Sequence, residues 1–221
     1  MEASIEEIWL QLTADKRIPA YLDLSQDLAF SALTPQQARW YVDEALRIGR
    51  EAAAQCAERD PHSLAKSLGV AVTLSTRDLR VGPSAIRAEY DAQTRAVTLY
   101  IPAIERVNQC LKGIGEGATN VLLAHELFHH LEATRFSPVD QQLPPVERRF
   151  LGGLWRAHRR VRRCRELAAH AFASCLVGLP FYAGAVDWLV AMQEGHLTPE
   201  EVAAALDNAK RWLSETGDGL T

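Results

Sequence analysis

One short segment with two histidines constrains the fold of this chain more than any other feature. The segment LLAHELFHHLEA, residues 122–133, places His125 and His129 four residues apart, with Glu126 after the first of them. Side chains four residues apart lie one turn above each other on a helix, so the two imidazoles can bind one metal ion. The apolar side chains of the segment can then face a core: Ala124, Leu127, Phe128 and Leu131. The sequence therefore predicts a helix over residues 118–133 with one buried face and one ligand face.

Glu126 lies about 100° further round the predicted helix than His125, next to an ion bound there but off its ligand face. A carboxylate in that position can take a proton from a water that attacks a carbonyl carbon. The H-E-x-x-H pattern also occurs by chance in helices whose histidines are only surface residues. A continuous helical segment directly after a predicted sheet favours a zinc site. We expect the adjacent His130 to be a surface or packing residue.

Zinc in a catalytic site normally binds three protein ligands, so the chain must supply a third. One solution is a glycine and then a histidine at fixed spacing after the motif, but Glu132 and Arg135 occupy those places. The other common solution is a glutamate from a later helix, and Glu166 in CRELAAHAFASCLVGLP fits it best. Its neighbouring alanines let two helices approach closely. We therefore predict His125, His129 and Glu166 as the ligands of one zinc ion.

Alternatives to this ligand set stay open. Glu166 could instead be a surface carboxylate that pairs with Arg162 or Arg163, and His170, one turn later, could bind the ion or orient a ligand. The weaker ligand candidates are Glu132 and Glu147.

Hydrolysis of a peptide bond also needs a hydrogen-bond donor for the oxyanion that forms during the reaction. The spacing of the residues does not choose among the candidates, which are Tyr90, Tyr100, His170 and Arg165.

The composition excludes several classes of protein. The chain has 221 residues, 48% hydrophobic and 24% charged, and a chain of this size buries a core without metal or disulfide staples. Its net charge of −4 gives no general attraction to nucleic acid or to anionic membranes. No apolar run approaches the roughly 20 residues that cross a bilayer, and the acidic start MEASIEEIWL shows no secretion signal. We therefore expect a cytoplasmic protein without a membrane partner, with its four scattered cysteines reduced.

Periodicity and turn residues predict the order of the elements. Residues 1–60 look helical and form a predicted N-terminal extension, and residues 181–221 hold two C-terminal helices that pack on the core. Between them, VAVTLS, SAIRAEY and RAVTLYI predict three strands, whereas the stretch from Val146 to Leu179 has a helical pattern with a break near its paired glycines. We predict an α+β fold that is mainly helical. Its small, mostly antiparallel three-stranded sheet packs against the histidine helix and a second helix that carries the third ligand.

The motifs of residues 61–180 resemble those of the ImmA/IrrE-like zinc metallopeptidases. The likeness covers the short helix ending in LGV, the hairpin AEYDAQTRAVTLYI, the motif AHELFHH and the segment ELAAHAFASCLVGLP. Family members typically show AHELxHxL and then E-x-E-A-N-x-F-A-x-x-L-L-x-P, which this chain matches at Glu166, Ala169, Phe172, Ala173, Leu176 and Pro180.

Ala168 stands in place of the second glutamate of that pattern, and His170 stands in place of its asparagine. If the second glutamate were the family's ligand, the site would be impaired. Glu166 and His170 keep the E-x-x-x-(N/D) spacing of the ligand helix in gluzincin-type zinc peptidases, and this resemblance favours Glu166.

The resemblance implies a zinc metallopeptidase core over residues 61–180. It implies that His125, His129 and Glu166 bind one Zn²⁺ and that Glu126 is the general base. The activity it implies is that of an endopeptidase with narrow specificity for an intracellular protein, such as a helix-turn-helix transcriptional repressor. The alternative from another class is a catalytically inactive regulator that keeps the fold and acts by binding a protein.

Residues 148–165 are rich in arginine, in a chain that is acidic as a whole. The arginines are Arg148, Arg149, Arg156, Arg159, Arg160, Arg162, Arg163 and Arg165. The simplest interpretation is a solvated helix face. The sharper hypothesis is a docking surface for an acidic partner, or for nucleic acid held by a repressor substrate. Because the net charge is negative, we expect no direct binding of nucleic acid. The local excess of arginine keeps such binding open as an alternative.

Overall fold

The structure, a computed structural model, describes residues 4–82, 84–111, 117–150 and 155–215. The helices in these ranges are α1 Ile5–Ala14, α2 Arg17–Ser25, α3 Pro35–Ala54, α4 Pro61–Leu68, α5 Ile101–Cys110, α6 Ala118–Thr134, α7 Val139–Gln142, α8 Arg163–Leu176, α9 Ala185–Gln193 and α10 Pro199–Glu215. The strands are β1 Ala71–Ser75, β2 Arg80–Val81, β3 Ser84–Ala85, β4 Ala88–Asp91, β5 Ala96–Tyr100, β6 Val146–Phe150 and β7 Trp155–Arg159. Most described residues are helical, and the predicted α+β fold class is confirmed.

Local sequence signals predict several helix ends correctly. Thr34 and Gln37 form a capping box at the start of α3, in which each side chain bonds the backbone N–H of the other residue. Asp60 accepts a hydrogen bond from a backbone N–H in the first turn of α4, and Gly69 ends that helix in the left-handed conformation with φ of 67°. These helix ends depend only on neighbours in the chain, which is why the sequence alone places them.

The main sheet has three strands in the order β1-β5-β4. β4 and β5 form the predicted antiparallel hairpin, whose turn contains Arg95 at a φ of 52°. β1, in contrast, pairs with β5 in parallel, from Ala71↔Ala96 to Ser75↔Tyr100. The sheet is therefore mixed rather than mostly antiparallel. The long connection after β1, which carries the small β2–β3 pair, lets the chain return on the other side of β5.

The stretch from residue 146 to 159 forms a hairpin instead of the predicted helix. β6 and β7 pair in antiparallel orientation from Val146↔Arg159 to Phe150↔Trp155. The runs VERRF and WRAHR each carry an aromatic residue and are separated by glycines, as in a hairpin, but their charged residues also suit a helix, and the helical interpretation was wrong. The turn, residues 151–154 with the paired glycines, lies outside the described residues. The arginine-rich stretch is therefore divided among this hairpin, the link at residues 160–162 and the first turn of α8, and does not form one helix face.

The backbones of α3 and α8 touch where the two helices cross. A methyl group built on Gly49 of α3 would lie 2.2 Å from the carbonyl oxygen of Ala168 and 2.9 Å from the backbone nitrogen of Phe172. On another side, α8 packs against α6, and the ring centroids of Phe172 and Phe128 lie 5.5 Å apart. These two contacts fix the position of α8 relative to the histidine helix α6.

One apolar core runs through the described chain. It includes Leu12 from the N-terminal helices, Leu123 from α6 and Leu206 from α10, all fully buried. The four cysteines have free thiols. Within the described ranges, no helix combines the length and the apolar character that crossing a membrane requires. The boundaries near residues 60 and 180 stay predictions.

We expect Gly49→Ala to destabilise the fold, because the new methyl group meets backbone atoms of α8 that cannot turn aside. Overpacking of this kind lowers the free energy of unfolding by about 1–3 kcal/mol. Denaturant unfolding measures the change. The control is Arg50→Ala, one residue further along α3 at an exposed position, which should leave stability within about 0.5 kcal/mol of the original protein. Equal stability of the two variants would contradict the backbone contact.

Candidate metal centre

The three side chains predicted as ligands converge on one point. Nε2 of His125 and Nε2 of His129 lie 3.2 Å apart. Glu166 places Oε2 3.3 Å from His125 Nε2, and Oε1 3.7 Å from His129 Nε2. Among the described residues, this is the group of histidine, cysteine, aspartate or glutamate side chains that could hold a metal ion.

The distances fit a tetrahedral ion. Histidine and carboxylate ligands bind metal at about 2.0–2.2 Å, which places tetrahedral ligand atoms about 3.3 Å apart. Two imidazole nitrogens and a carboxylate oxygen are all acceptors once deprotonated, so at these distances they repel unless a proton or a cation lies between them. The donor set and its spacing therefore suit a single metal ion.

When no cation is bound, a proton reduces the repulsion between these acceptor atoms. Burial lowers the pKa of His129, but its hydrogen bonds to Glu132 and Glu166 outweigh burial and raise the pKa to about 10. Burial opposes ionisation of Glu166 as well, yet the two histidines keep the pKa of its carboxyl well below the ordinary value. Because ligands bind metal in their deprotonated form, a cation would displace this proton.

Glu166 reaches this point because α8 is held at its N-terminal end. Glu166 lies in the first turn of α8, and the carboxylate of Asp27 accepts a hydrogen bond of 2.8 Å from the backbone N–H of Arg163. An acidic residue that caps a helix N-terminus is favourable for the helix dipole. The cap therefore comes from the segment before α3, far away in the sequence.

Glu126 lies beside the converging ligands in a cleft of about 450 Å³, here called the metal cleft. His125, Glu166 and Ala88 line the same cleft. Burial raises the pKa of Glu126, while the charges of the neighbouring histidines oppose that effect. A carboxyl whose pKa is raised toward neutrality accepts a proton more readily than an ordinary surface carboxylate.

A second carboxylate, Glu132, fixes the orientation of His129. Its Oε2 lies 2.9 Å from His129 Nδ1, on the opposite side of the ring from the ligand nitrogen. The Glu132 side chain is 1% exposed, and it accepts hydrogen bonds from the Val139 backbone N–H at 2.8 Å and from Arg165 at 3.1 Å. A carboxylate behind a histidine is a common way to hold a metal ligand in its tautomer and orientation. Glu132 was predicted only as a weak ligand candidate, and it lies behind His129 instead.

His170 lies against His125 without bonding to it. The ring centroids are 4.5 Å apart, and His170 Nε2 lies 3.8 Å from Oδ2 of Asp187, which forms an ion pair with Arg87. Burial lowers the pKa of His170 to about 3, so its ring is neutral. His170 is outside the group of converging ligand atoms and packs beside it.

The two tyrosines predicted as oxyanion donors bond to other side chains. The hydroxyl of Tyr90 and Nδ1 of His130 share a hydrogen bond of 2.8 Å, and the hydroxyl of Tyr100 donates to Glu89 at 2.5 Å. His130 is buried, which fits the second of the two predicted roles, surface or packing. Arg165, the fourth donor candidate, bonds to Glu132.

Ala168 and His170 depart from the second motif described above, and the structure explains the first of these departures. Ala168 is fully buried where α8 crosses α3, so a glutamate there would be forced into the helix interface. Glu166, two residues earlier, faces the histidines. His170 packs against His125 and Tyr182, and nothing in these contacts explains the departure from asparagine. Glu147 lies on β6 and is outside the converging group.

Sequence reasoning missed several residues of the metal cleft. Arg87, Asp187 and His196 line it, and they come from three segments that lie far from the H-E-x-x-H motif. No periodicity or spacing links such segments, so the signal exists only in the tertiary structure.

No family model, curated protein or solved structure matches the chain. A functional assignment therefore rests on the motifs and on the geometry of the site.

A buried carboxylate lies behind the metal cleft. Asp23 of α2 accepts hydrogen bonds from the hydroxyl of Tyr182 at 2.9 Å and from the indole N–H of Trp188 at 3.3 Å. The Tyr182 ring in turn packs against His170, with centroids 5.3 Å apart. Burial and the nearby Asp187 carboxylate raise the pKa of Asp23 to about 7.

We expect Glu132→Gln to lower metal affinity by about 10–100-fold. Glutamine keeps the size of the side chain but lacks the charge that holds His129. A chelator-competition titration measures the affinity, with Glu200→Gln as a control at an exposed position on α10. A merely structural role of Glu132 would instead lower the melting temperature of the metal-free protein and leave its metal affinity unchanged.

The pKa of Asp23 predicts a pH-dependent stability. The pKa of about 7 in the folded state exceeds the ordinary 3.8, so folding favours the protonated carboxyl. The resulting stabilisation is complete below about pH 4 and is lost as the pH rises through about 7, with a total of about 4 kcal/mol. Asp23→Asn removes the titrating group, and the difference in unfolding free energy between variant and original protein should change over this range. Parallel pH profiles for the two proteins would contradict this assignment.

Proposed function

We propose that the chain is a zinc-dependent endopeptidase that hydrolyses a peptide bond in a specific intracellular protein. The observation that carries the proposal is the convergence of His125, His129 and Glu166 at 3.2–3.7 Å, with Glu126 beside them in the same cleft. Two histidines and one glutamate are a donor set that catalytic zinc uses, with a further position open for water or substrate.

Each residue of the site has one role in the proposed mechanism. His125 Nε2, His129 Nε2 and one carboxylate oxygen of Glu166 would hold a zinc ion. Bound there, zinc would lower the pKa of water and polarise a carbonyl oxygen. Glu126 accepts the proton of the attacking water on a carboxylate oxygen and then delivers it to the leaving amine nitrogen. Glu132 keeps the His129 ring in place throughout.

The shape of the metal cleft supports a peptide substrate. One wall comes from residues 85–88, which run from the end of β3 to the first residue of β4, and β4 is an outer strand of its sheet. An extended peptide can add to such an edge through its main-chain hydrogen bonds. The substrate would then pass over Glu126 with its backbone fixed by the strand.

The proposed target rests on the resemblance of the motifs to those of the ImmA/IrrE-like metallopeptidases. That resemblance favours a transcriptional repressor of the helix-turn-helix class as the protein that is cleaved.

A second candidate function is a metal-binding regulator that binds its target without cleaving it. The observation in its favour is that the hydroxyls of Tyr90 and Tyr100 are bonded to His130 and Glu89, which leaves the donor for the oxyanion unassigned. Zinc content and hydrolysis, measured on the same sample, separate the two functions.

We expect Glu126→Gln to keep zinc and to lower hydrolysis by about 10²–10⁴-fold, because an amide cannot accept the proton. Zinc is measured by elemental analysis, and hydrolysis by mass spectrometry of a proteome-derived peptide library. The control is Glu58→Gln, the same change at an exposed residue, which should leave both unchanged.

The two candidate functions predict different outcomes of this experiment. Undiminished hydrolysis in Glu126→Gln contradicts the proposed mechanism. Bound zinc without hydrolysis in the original protein favours the regulator. A folded protein that binds no zinc excludes both zinc-dependent functions.

A further inference from the structure

A second concave surface adjoins the metal cleft and is rich in arginine. It is a groove of about 1020 Å³, here called the arginine groove, whose walls come from the end of β7, the start of α8, the segment after α2 and the short helix α7. Its basic residues are Arg159, Arg160, Arg162, Arg163, Arg165 and His158. Glu166 and Arg163 line both the groove and the metal cleft. A chain that crosses the converging ligands can therefore continue directly into the groove.

The guanidinium groups of two of these arginines donate to neutral oxygens. Arg160 donates to the backbone carbonyl of Asp140 at 3.0 Å, and Arg163 donates to the amide oxygen of Gln26 at 2.9 Å. Neither contact neutralises the positive charge. Arg165 differs, because its guanidinium pairs with the buried Glu132 carboxylate.

Arg159 and Arg162 are exposed at the rim of the groove. Within the ranges that the structure describes, no acidic side chain forms an ion pair with either of them. An exposed arginine presents several N–H donors in a planar arrangement that matches a carboxylate. These two residues are therefore available to a ligand.

The acidic residues of the groove do not cancel this charge. Asp27 and Asp140 line it together with Glu166, against five arginines, and the Asp27 carboxylate already accepts the backbone N–H groups of Ala29 and Arg163. The chain as a whole carries a net charge of −4. The positive charge is thus local and lies at one end of the metal cleft.

We propose that the arginine groove binds acidic side chains of the substrate, on one side of the bond that is cleaved. The inference rests on the proposed function, because it assigns the groove to the same peptide that crosses the metal cleft. Charge complementarity selects aspartate and glutamate, and the continuity of groove and cleft through Glu166 places them close to the cleavage site.

A peptide fits the groove better than nucleic acid does. Asp27 and Asp140 stand among the arginines, and their carboxylates repel a continuous phosphate backbone, whereas a peptide can place neutral residues there. The groove also ends at the carboxylate of Glu166. A duplex with one charge per about 1.7 Å of its axis would meet all three acidic groups.

The first test is the cleavage preference of the zinc-loaded protein on a proteome-derived peptide library. We expect aspartate and glutamate to be enriched on one side of the cleaved bonds. The double variant Arg159→Glu/Arg162→Glu should lose that enrichment and cleave acidic peptides about tenfold more slowly. The matched control is Arg50→Glu/Arg77→Glu, which changes the net charge equally at exposed positions outside the metal cleft and the arginine groove. This control should keep the original preference.

Cleavage without enrichment of acidic residues overturns the groove proposal and leaves the proposed function intact. Absence of any cleavage counts against the proposed function, and a binding assay then tests the groove by itself. In that assay, Glu126→Gln protein is titrated with fluorescent peptides of equal length, one rich in glutamate and one in which glutamine replaces each glutamate.

We expect the acidic peptide to bind at least about tenfold more tightly than the neutral peptide, with an advantage that shrinks as salt is added. The arginine double variant, built on Glu126→Gln, should remove the advantage, and the matched control should keep it. Equal binding of the two peptides overturns the proposal. Tighter binding of a 20-base-pair DNA duplex than of the acidic peptide, lost in the arginine double variant, overturns it in favour of nucleic acid.

Discussion

The packing of α8 against both α3 and α6 determines the geometry of the whole candidate site. At Gly49 the backbone of α3 approaches that of α8 so closely that a methyl group would not fit, and Phe172 packs against Phe128 on α6. Glu166 is thereby carried to within 3.3 Å of His125 Nε2. Since metal binding depends on ligand positions to within a few tenths of an ångström, the rigid helix crossing is what makes a three-residue metal group feasible.

The first turns of α8 also join the metal group to the arginine groove. Glu166 contributes to both, and Arg165 bonds to Glu132, which in turn bonds to His129. Burying a carboxylate is costly unless it is paired and hydrogen-bonded, and Glu132 meets that condition with partners from three different segments. The side chains that support the metal group and those that could bind substrate therefore depend on the same short piece of helix.

The sequence predicts those parts of the molecule that depend on near neighbours. Helix starts such as Thr34, the helix that carries His125 and His129, and the β4–β5 hairpin follow from capping, periodicity and turn residues, and they are found where expected. The parallel pairing of β1 with β5 does not follow, because a strand pattern shows that a segment is a strand and not which strand it joins. The β6–β7 hairpin was missed because short runs of mixed charged and aromatic residues suit either structure, and packing decides between them.

By itself, the sequence determined the chemistry of the candidate site: two histidines one helical turn apart, a carboxylate beside them and Glu166 as the preferred third ligand. Only the tertiary structure decided that Glu166 meets the histidines, that Glu132 lies behind His129, and that arginines from a hairpin and a helix form one groove. The physical reason is the range of the interactions. Side-chain type and helical spacing act over a few residues, whereas these three arrangements depend on how segments far apart in the chain pack around one core.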